Sequence, residues 1–269
     1  MLALSLLLSA CGGGRSGPPL LGYGIPTPTE VTYVYGDTTV VSLAVMGQGM
    51  ELSQRGVANY SVTFGPVPGG IEVTLTVEDL AAVINPPMGS PIRLGNEDVT
   101  GDLVFTLDHL GNPTITERPE VSDVGSQMVS GLGLAHTFFP GLPNRAVGVG
   151  ETWVDTISYE GRESAGLRSE STVIRYTIAG DTVVAGRSLM VIALQGTTES
   201  TAELELSGMS VAQSSNLTLE GYVLWDTQSG LMFESFKKAT GTGTVRVPVA
   251  PGPLPIEIAA TQRARLRGM

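Results

Sequence analysis

Along most of the chain, apolar and polar residues alternate with period two. In residues 71–78, Ile71, Val73, Leu75 and Val77 share one face, while Glu72, Thr74, Thr76 and Glu78 take the other. That is the pattern of a strand with one dry side and one wet side. Residues 216–226 repeat it, with Leu217, Leu219, Val223 and Trp225 set against Thr218, Glu220 and Tyr222. Alternation predicts further strands at 31–45, 61–64, 103–107, 152–159, 171–179, 188–195, 201–206, 231–237, 244–249 and 256–266. Turn-forming residues separate them: Pro68-Gly69-Gly70, Leu110-Gly111-Asn112-Pro113, Ala179-Gly180-Asp181 and Gln228-Ser229-Gly230.

One stretch departs from this rhythm. Ser122-Asp123 reads as a helix N-cap, followed by Val124, Met128, Val129, Leu132 and Ala135 at helical spacing. Gly125, Gly131 and Gly133 weaken that helix, each by about 1 kcal/mol relative to Ala, so it needs a sheet to lie on. A second short helical turn is expected around 77–83, ahead of Pro86-Pro87. Short connections favour antiparallel meanders, and a large open sheet tends to curl. The predicted fold is therefore all-β with one or two short helices: a single large antiparallel sheet of about ten strands. It is expected to be strongly curled, or a half-barrel, with a helix against the concave face. The alternative is two smaller β-halves meeting at 133–143, and one domain is the preferred reading.

Composition narrows the function classes. The 269 residues are 42% hydrophobic and 15% charged, with 35 glycines, enough to bury a sizeable core and too apolar for a disordered chain. The formal net charge of −11 leaves nothing to neutralise nucleic-acid phosphates and opposes adsorption to anionic lipid by charge alone. A single cysteine, Cys11, cannot form an internal disulfide, and its position supplies its explanation.

Leu2 to Ala10 is an uncharged apolar run ending in Leu8-Ser9-Ala10-Cys11. It is too short to span a bilayer, which takes roughly 20 residues, and reads as the apolar core of an export signal. This motif resembles the bacterial lipobox. The resemblance implies a signal peptide at 1–10, acylation of Cys11 and cleavage before it; Gly12, not being Asp, then points to the outer membrane rather than the inner. Each buried methylene contributes ~0.8 kcal/mol, so two or three acyl chains hold durably. No Lys or Arg precedes the run, so the true start is expected upstream of Met1. Residues 11–29, rich in Gly, Pro and Ser, read as the lipidated Cys and a flexible tether, and 30–269 as the β-domain.

The order of elements is similar to the periplasmic lipoprotein carriers LolA, LolB and LppX, in which a curled antiparallel sheet cups a hydrophobic cavity. Phe138-Phe-Pro-Gly-Leu-Pro143 with Val149-Gly-Glu-Thr-Trp153 also resembles uncharacterised bacterial envelope lipoproteins with a proline-rich entry into a Gly-Glu/Asp-x-Trp strand. No carrier residue maps onto this chain position by position.

The residues of catalysis are not assembled in the sequence. His109 and His136 are far apart and lack partners at ligand spacing. There is no G-x-S-x-G, and the glycines of Gly148-Val149-Gly150 precede a strand rather than a helix. Glu203 and Glu205 share a strand face, and Glu97, Asp98 and Asp102 cluster in a loop. Solvated edges and loops look the same, and the loop spacing matches no EF-hand. No enzyme, cofactor or metal is assigned.

Two features have more content. Arg263, Arg265 and Arg267 fall on one face of the last strand, opposite Ala264 and Leu266. They could contact phosphate headgroups or an acidic partner. The preferred reading pairs them across strands with Glu203, Glu205 or Glu220 while they protect a sheet edge. Residues 188–194, 222–225 and 231–233 are apolar on both faces and must be covered on both sides. Plain core is the simpler cover; a ligand cavity would be lined by Met128, Leu132, Met190, Trp225 and Phe233. The functional expectation is an outer-membrane-anchored, non-enzymatic binding module for a hydrophobic ligand, a lipid or lipoprotein acyl chains. The alternative is an assembly protein docking on another envelope component.

Overall fold

In the computed structural model, described for residues 17–45, 48–122, 125, 131–163, 166–206, 209–248, 250 and 252–267, the alternating segments pair into long antiparallel strands. The first half holds β1 (Glu30–Val45), β2 (Gln48–Val67), β3 (Gly70–Asn85), β4 (Ile92–Leu94), β5 (Val99–Thr100), β6 (Leu103–Leu107), β7 (Pro113–Glu117) and β8 (Glu120–Val121). A short helix, α1 (Gly131–Thr137), follows. The second half is a continuous meander: β9 (Thr152–Glu163), β10 (Gly166–Val184), β11 (Arg187–Leu206), β12 (Met209–Asp226), β13 (Leu231–Arg246) and β14 (Leu254–Arg267).

The strand order is β7-β6-β3-β2-β1-β14-β13-β12-β11-β10-β9, with β4 added to β3 and a separate β5–β8 pair. The chain starts at the middle, works outward to β7, crosses through α1 to β9, and meanders back until β14 pairs β1. Segments before and after α1 thus share one sheet. The expected half-barrel is corrected: the sheet is neither closed nor strongly curled. α1 stands between β9 on one side and β6 and β7 on the other, so the two edge strands do not pair.

Strand lengths exceed the alternation-based expectation. Residues 188–206 form one strand rather than two, as do 231–246. Ala179-Gly180-Asp181 is not a turn: the register shifts between Ile178 and Gly180, so it is a bulge inside β10. The helical turn expected at 77–83 is strand as well. A bulge opposite Asn59–Tyr60 keeps β3 paired with β2, and Asn96 holds the irregularity. Its Nδ2 donates to the Glu78 carbonyl (3.0 Å) and its Oδ1 accepts from Leu80 N–H (2.6 Å). Ser122 makes the hydrogen bond of an N-cap, its hydroxyl accepting from Gly125 N–H three residues on (3.0 Å), and it also donates to Asp98 (2.6 Å). Val124, Met128 and Val129 of the expected helix lie outside the described residues. The other turns form as expected. At Pro68-Gly69, Gly69 takes φ +90°, a conformation that favours glycine.

The inner face carries an aromatic core. Phe138 and Phe139, in the loop after α1, pack edge-on against each other (4.9 Å between centroids), and both reach Tyr33 of β1. Burial of each such ring is worth about 1.5–3 kcal/mol. The polar tips are satisfied: Tyr33 donates to the Met232 carbonyl and Tyr23 to the Pro140 carbonyl (2.7 Å). Part of the expected tether therefore belongs to the fold. Leu21 and Tyr23 are buried, Leu20 bridges Ala146, and Val147 N–H donates to the Pro19 carbonyl (3.1 Å). From Pro18 to Thr29 the chain is a strap across one end of the sheet. Among the described residues no helix is long and apolar enough to cross a membrane.

Candidate binding site: an arginine groove on the outer face

β14 lies inside the sheet, between β13 and β1. Its period-two pattern sends Ala264 and Leu266 into the core and Arg263, Arg265 and Arg267 to the outer face. The edge-protection reading of these arginines is overturned, because β14 is not an edge. Their expected acidic partners are corrected too. Glu203 and Glu220 lie on β11 and β12, not next to β14, and Glu220 pairs with Lys238 (3.0 Å); the Glu205 side chain lies outside the described residues.

The acid that holds the ladder is Glu234 of β13, directly opposite Arg265. Its carboxylate is buried and receives Arg263 Nη2 (2.8 Å), the Tyr222 hydroxyl (2.6 Å) and, at 3.5 Å, Arg265 Nε. Burial and this hydrogen bond to Glu234 push the Tyr222 hydroxyl above its ordinary pKa. Both guanidiniums remain about half exposed, so Glu234 fixes their orientation without covering them. A bulge in β13 adds an apolar wall: Leu224 opposes Glu234 while Trp225 opposes Met232, leaving Phe233 as the extra residue. Arg265 lies over the Phe233 ring, 5.9 Å from its centroid.

Arg187, at the start of β11, completes the basic side, 3.4 Å from Asp226. Asp226 also accepts from the N–H groups of Gln228 and Ser229 (2.9 and 3.3 Å), which ties Arg187 to the β12–β13 turn. Together with Val34 and Val57, these side chains line an open groove of about 650 Å³. Four arginines against Glu234 and Asp226 leave a local charge of +2 (4 − 2) in a chain of −11. Paired, half-exposed guanidiniums beside an aromatic wall suit a phosphate or carboxylate attached to an apolar body. Among the described residues the groove lining itself is arginine and apolar, and the nearby Glu234 carboxylate and Tyr222 hydroxyl are engaged with each other and with Arg263.

The sequence-predicted ligand residues part company. Phe233 lines the groove with Arg263, Arg265 and Arg267, although it is buried to the same degree as Met190 and shares the core with it. Met190 and Trp225 are buried in the core, where Trp225 packs edge-on against Tyr23 of the strap (5.0 Å). Met128 and the Leu132 side chain lie outside the described residues, as does Cys11. The cover on the two-sided apolar strands is thus the chain's own, and the cavity beside Tyr60 and Leu134 holds about 20 Å³, against roughly 300–1,000 Å³ for ligand pockets. Sequence reasoning missed Arg187 and Glu234. Glu234 did carry a signal, as one acid inside the apolar run Leu231-Met-Phe-Glu.

The other candidates are not brought together. Asp98 is occupied by Ser122 and the Gly95 N–H (3.0 Å), and Asp102 accepts from Thr76 (2.7 Å). Among the described residues no three His, Cys, Asp or Glu side chains are placed to hold a metal ion. His109 offers its carbonyl to Tyr23 N–H (3.4 Å). His136 stacks on Tyr159 (5.3 Å), and burial, with Arg118 nearby, lowers its pKa. Beside α1, Lys237 donates to the Thr137 carbonyl (2.7 Å), and burial lowers its ammonium to about 8. No protein-family model and no curated protein matches this chain.

Proposed function

We propose that the protein is an outer-membrane lipoprotein, anchored through Cys11, whose domain is a non-enzymatic binding module. Its ligand is an anionic amphiphile, an acidic lipid whose phosphate meets Arg263 and Arg265 while its apolar part lies along Phe233 and Val57. The observation that carries this reading is the groove itself: four arginines converge on an apolar wall in an otherwise acidic protein. Uptake of an acyl chain into the sheet interior is the weaker form of the reading, since that space is taken by Phe138, Phe139 and Tyr23. Calorimetric titration with short-chain phosphatidic acid, against the neutral diacylglycerol of equal chain length, tests it. Binding of the acid alone, weakened about tenfold or more in Arg263→Gln/Arg265→Gln, is expected, since a charge-assisted hydrogen bond is worth ~1.5–3 kcal/mol. Equal binding of both lipids, or no effect of the substitutions, overturns it. Envelope crosslinking that traps a protein at Arg265 instead would favour the assembly reading.

A further inference from the structure

The strap changes where the domain sits. Only Gly12 to Gly17 separate Cys11 from Pro18, and Pro19 and Leu20 are already fixed to Val147 and Ala146. Seven residue steps reach at most about 25 Å. An acylated Cys11 therefore holds the strap end of the sheet against the bilayer rather than leaving the domain free to stand off.

That end carries exposed apolar residues where the chain has no need of them. Leu20 on the strap is 71% exposed, Val149 in the loop before β9 is 70% exposed, and Val183 near the β10–β11 hairpin is 70% exposed. They belong to one end of the molecule. Leu20 bridges Ala146, Pro18 packs beside Gly148, and Gly150 N–H donates to the Ile178 carbonyl of β10 (2.8 Å), the strand that runs on to Val183. The stronger charges around them are paired: Arg145 with Glu151 (2.6 Å) and Arg187 with Asp226 (3.4 Å). Asp181 is exposed nearby, and the arginine groove reaches this end at Ala185 and Arg187, so apolar contact there adds to charge rather than replacing it.

We propose that the strap end is a membrane-contact surface, with Leu20, Val149 and Val183 entering the lipid interface. This rests on the Cys11 anchor proposed above. Apolar side chains at an interface add to a covalent anchor by burying area in the headgroup–acyl boundary. The contact also sets the orientation, placing the strap end at the lipid and the opposite end of the sheet away from it.

The test uses the full chain purified from membranes and reconstituted in vesicles of phosphatidylethanolamine and phosphatidylglycerol. An environment-sensitive fluorophore is attached in turn to Val149→Cys, Val183→Cys and Met88→Cys. Met88 is 78% exposed and follows the far end of β3, about 50 Å from the strap end. A blue shift and strong quenching by doxyl-labelled lipid at 149 and 183, with neither at 88, is expected. An acylated protein in which 149 and 183 behave like 88 overturns the contact surface and leaves the anchor standing. Mass spectrometry of the same preparation reads the anchor separately. An unmodified Cys11 overturns the anchor, and the contact surface with it.

Discussion

Arg265 and Leu266 are neighbours in sequence and sit on opposite sides of the same sheet. Leu266 packs into the aromatic core beside Tyr33, while Arg265 lies half exposed over Phe233. The inner side is held by close packing, in which every lost methylene leaves a void. The outer side is held by one buried carboxylate and three donors, in which geometry matters and volume does not. The two faces of β14 therefore divide stability from recognition, and substitutions on each should fail in different ways.

The largest effect is expected inside. Leu266→Ala should cost about 2–5 kcal/mol in urea denaturation, with ligand titration unchanged wherever the variant stays folded. Loss of binding without loss of stability would break the division. Next comes the partly buried cation beside α1. Lys237 titrates near 8 in the folded protein and near 10.4 unfolded. Between those values the unfolded chain binds more protons, so stability rises with pH, by on the order of 2 kcal/mol from pH 8 to 10. Lys237→Met should flatten that rise. Above pH 10 the sign reverses, because buried Tyr33 and Tyr60 have raised pKa values and ionise first in the unfolded chain.

Glu234→Gln tests the outer side at its hinge. Its carboxylate holds Arg263, Arg265 and Tyr222, so a loss of about 1–3 kcal/mol is expected, along with weaker binding as the arginines lose their fixed direction. The smallest stability change belongs to Arg265→Gln, about 1 kcal/mol or less, because its guanidinium is half exposed and Arg263 and Tyr222 still hold Glu234, although binding should fall and lose part of its dependence on salt. A strongly destabilised Arg265→Gln would show that the ladder is structural.

How much of this was legible follows from what acts locally. The alternation that separates Ile71, Val73 and Leu75 from Glu72 and Thr74 is visible within eight residues, and strand faces were read correctly from it. The ends of strands were not. Residues 196–200 and 238–243 carry no apolar alternation to mark them as strand, but pairing on both sides keeps β11 and β13 unbroken. The helical turn at 77–83 was lost for the same reason, to pairing with β2 and to Asn96, sixteen residues from Leu80. The strap read as a tether because Pro and Gly dominate it, yet Leu21 and Tyr23 find a core built by distant strands.

The arginine ladder shows the division most clearly. Sequence alone determined that Arg263, Arg265 and Arg267 share one face, since side chains on a strand alternate by geometry. It also determined the acidity of the chain, the position of its only cysteine and the apolar run before it. Which acid meets the arginines was decided only when β14 settled between β13 and β1. That register comes from contacts made across the whole chain, because the buried face of each strand admits one alignment and a slip of one residue would turn every side chain over. The same register brought Phe233, Arg187 and Glu234 to one groove, and it carried Leu20, Val149 and Val183 to one end of the sheet.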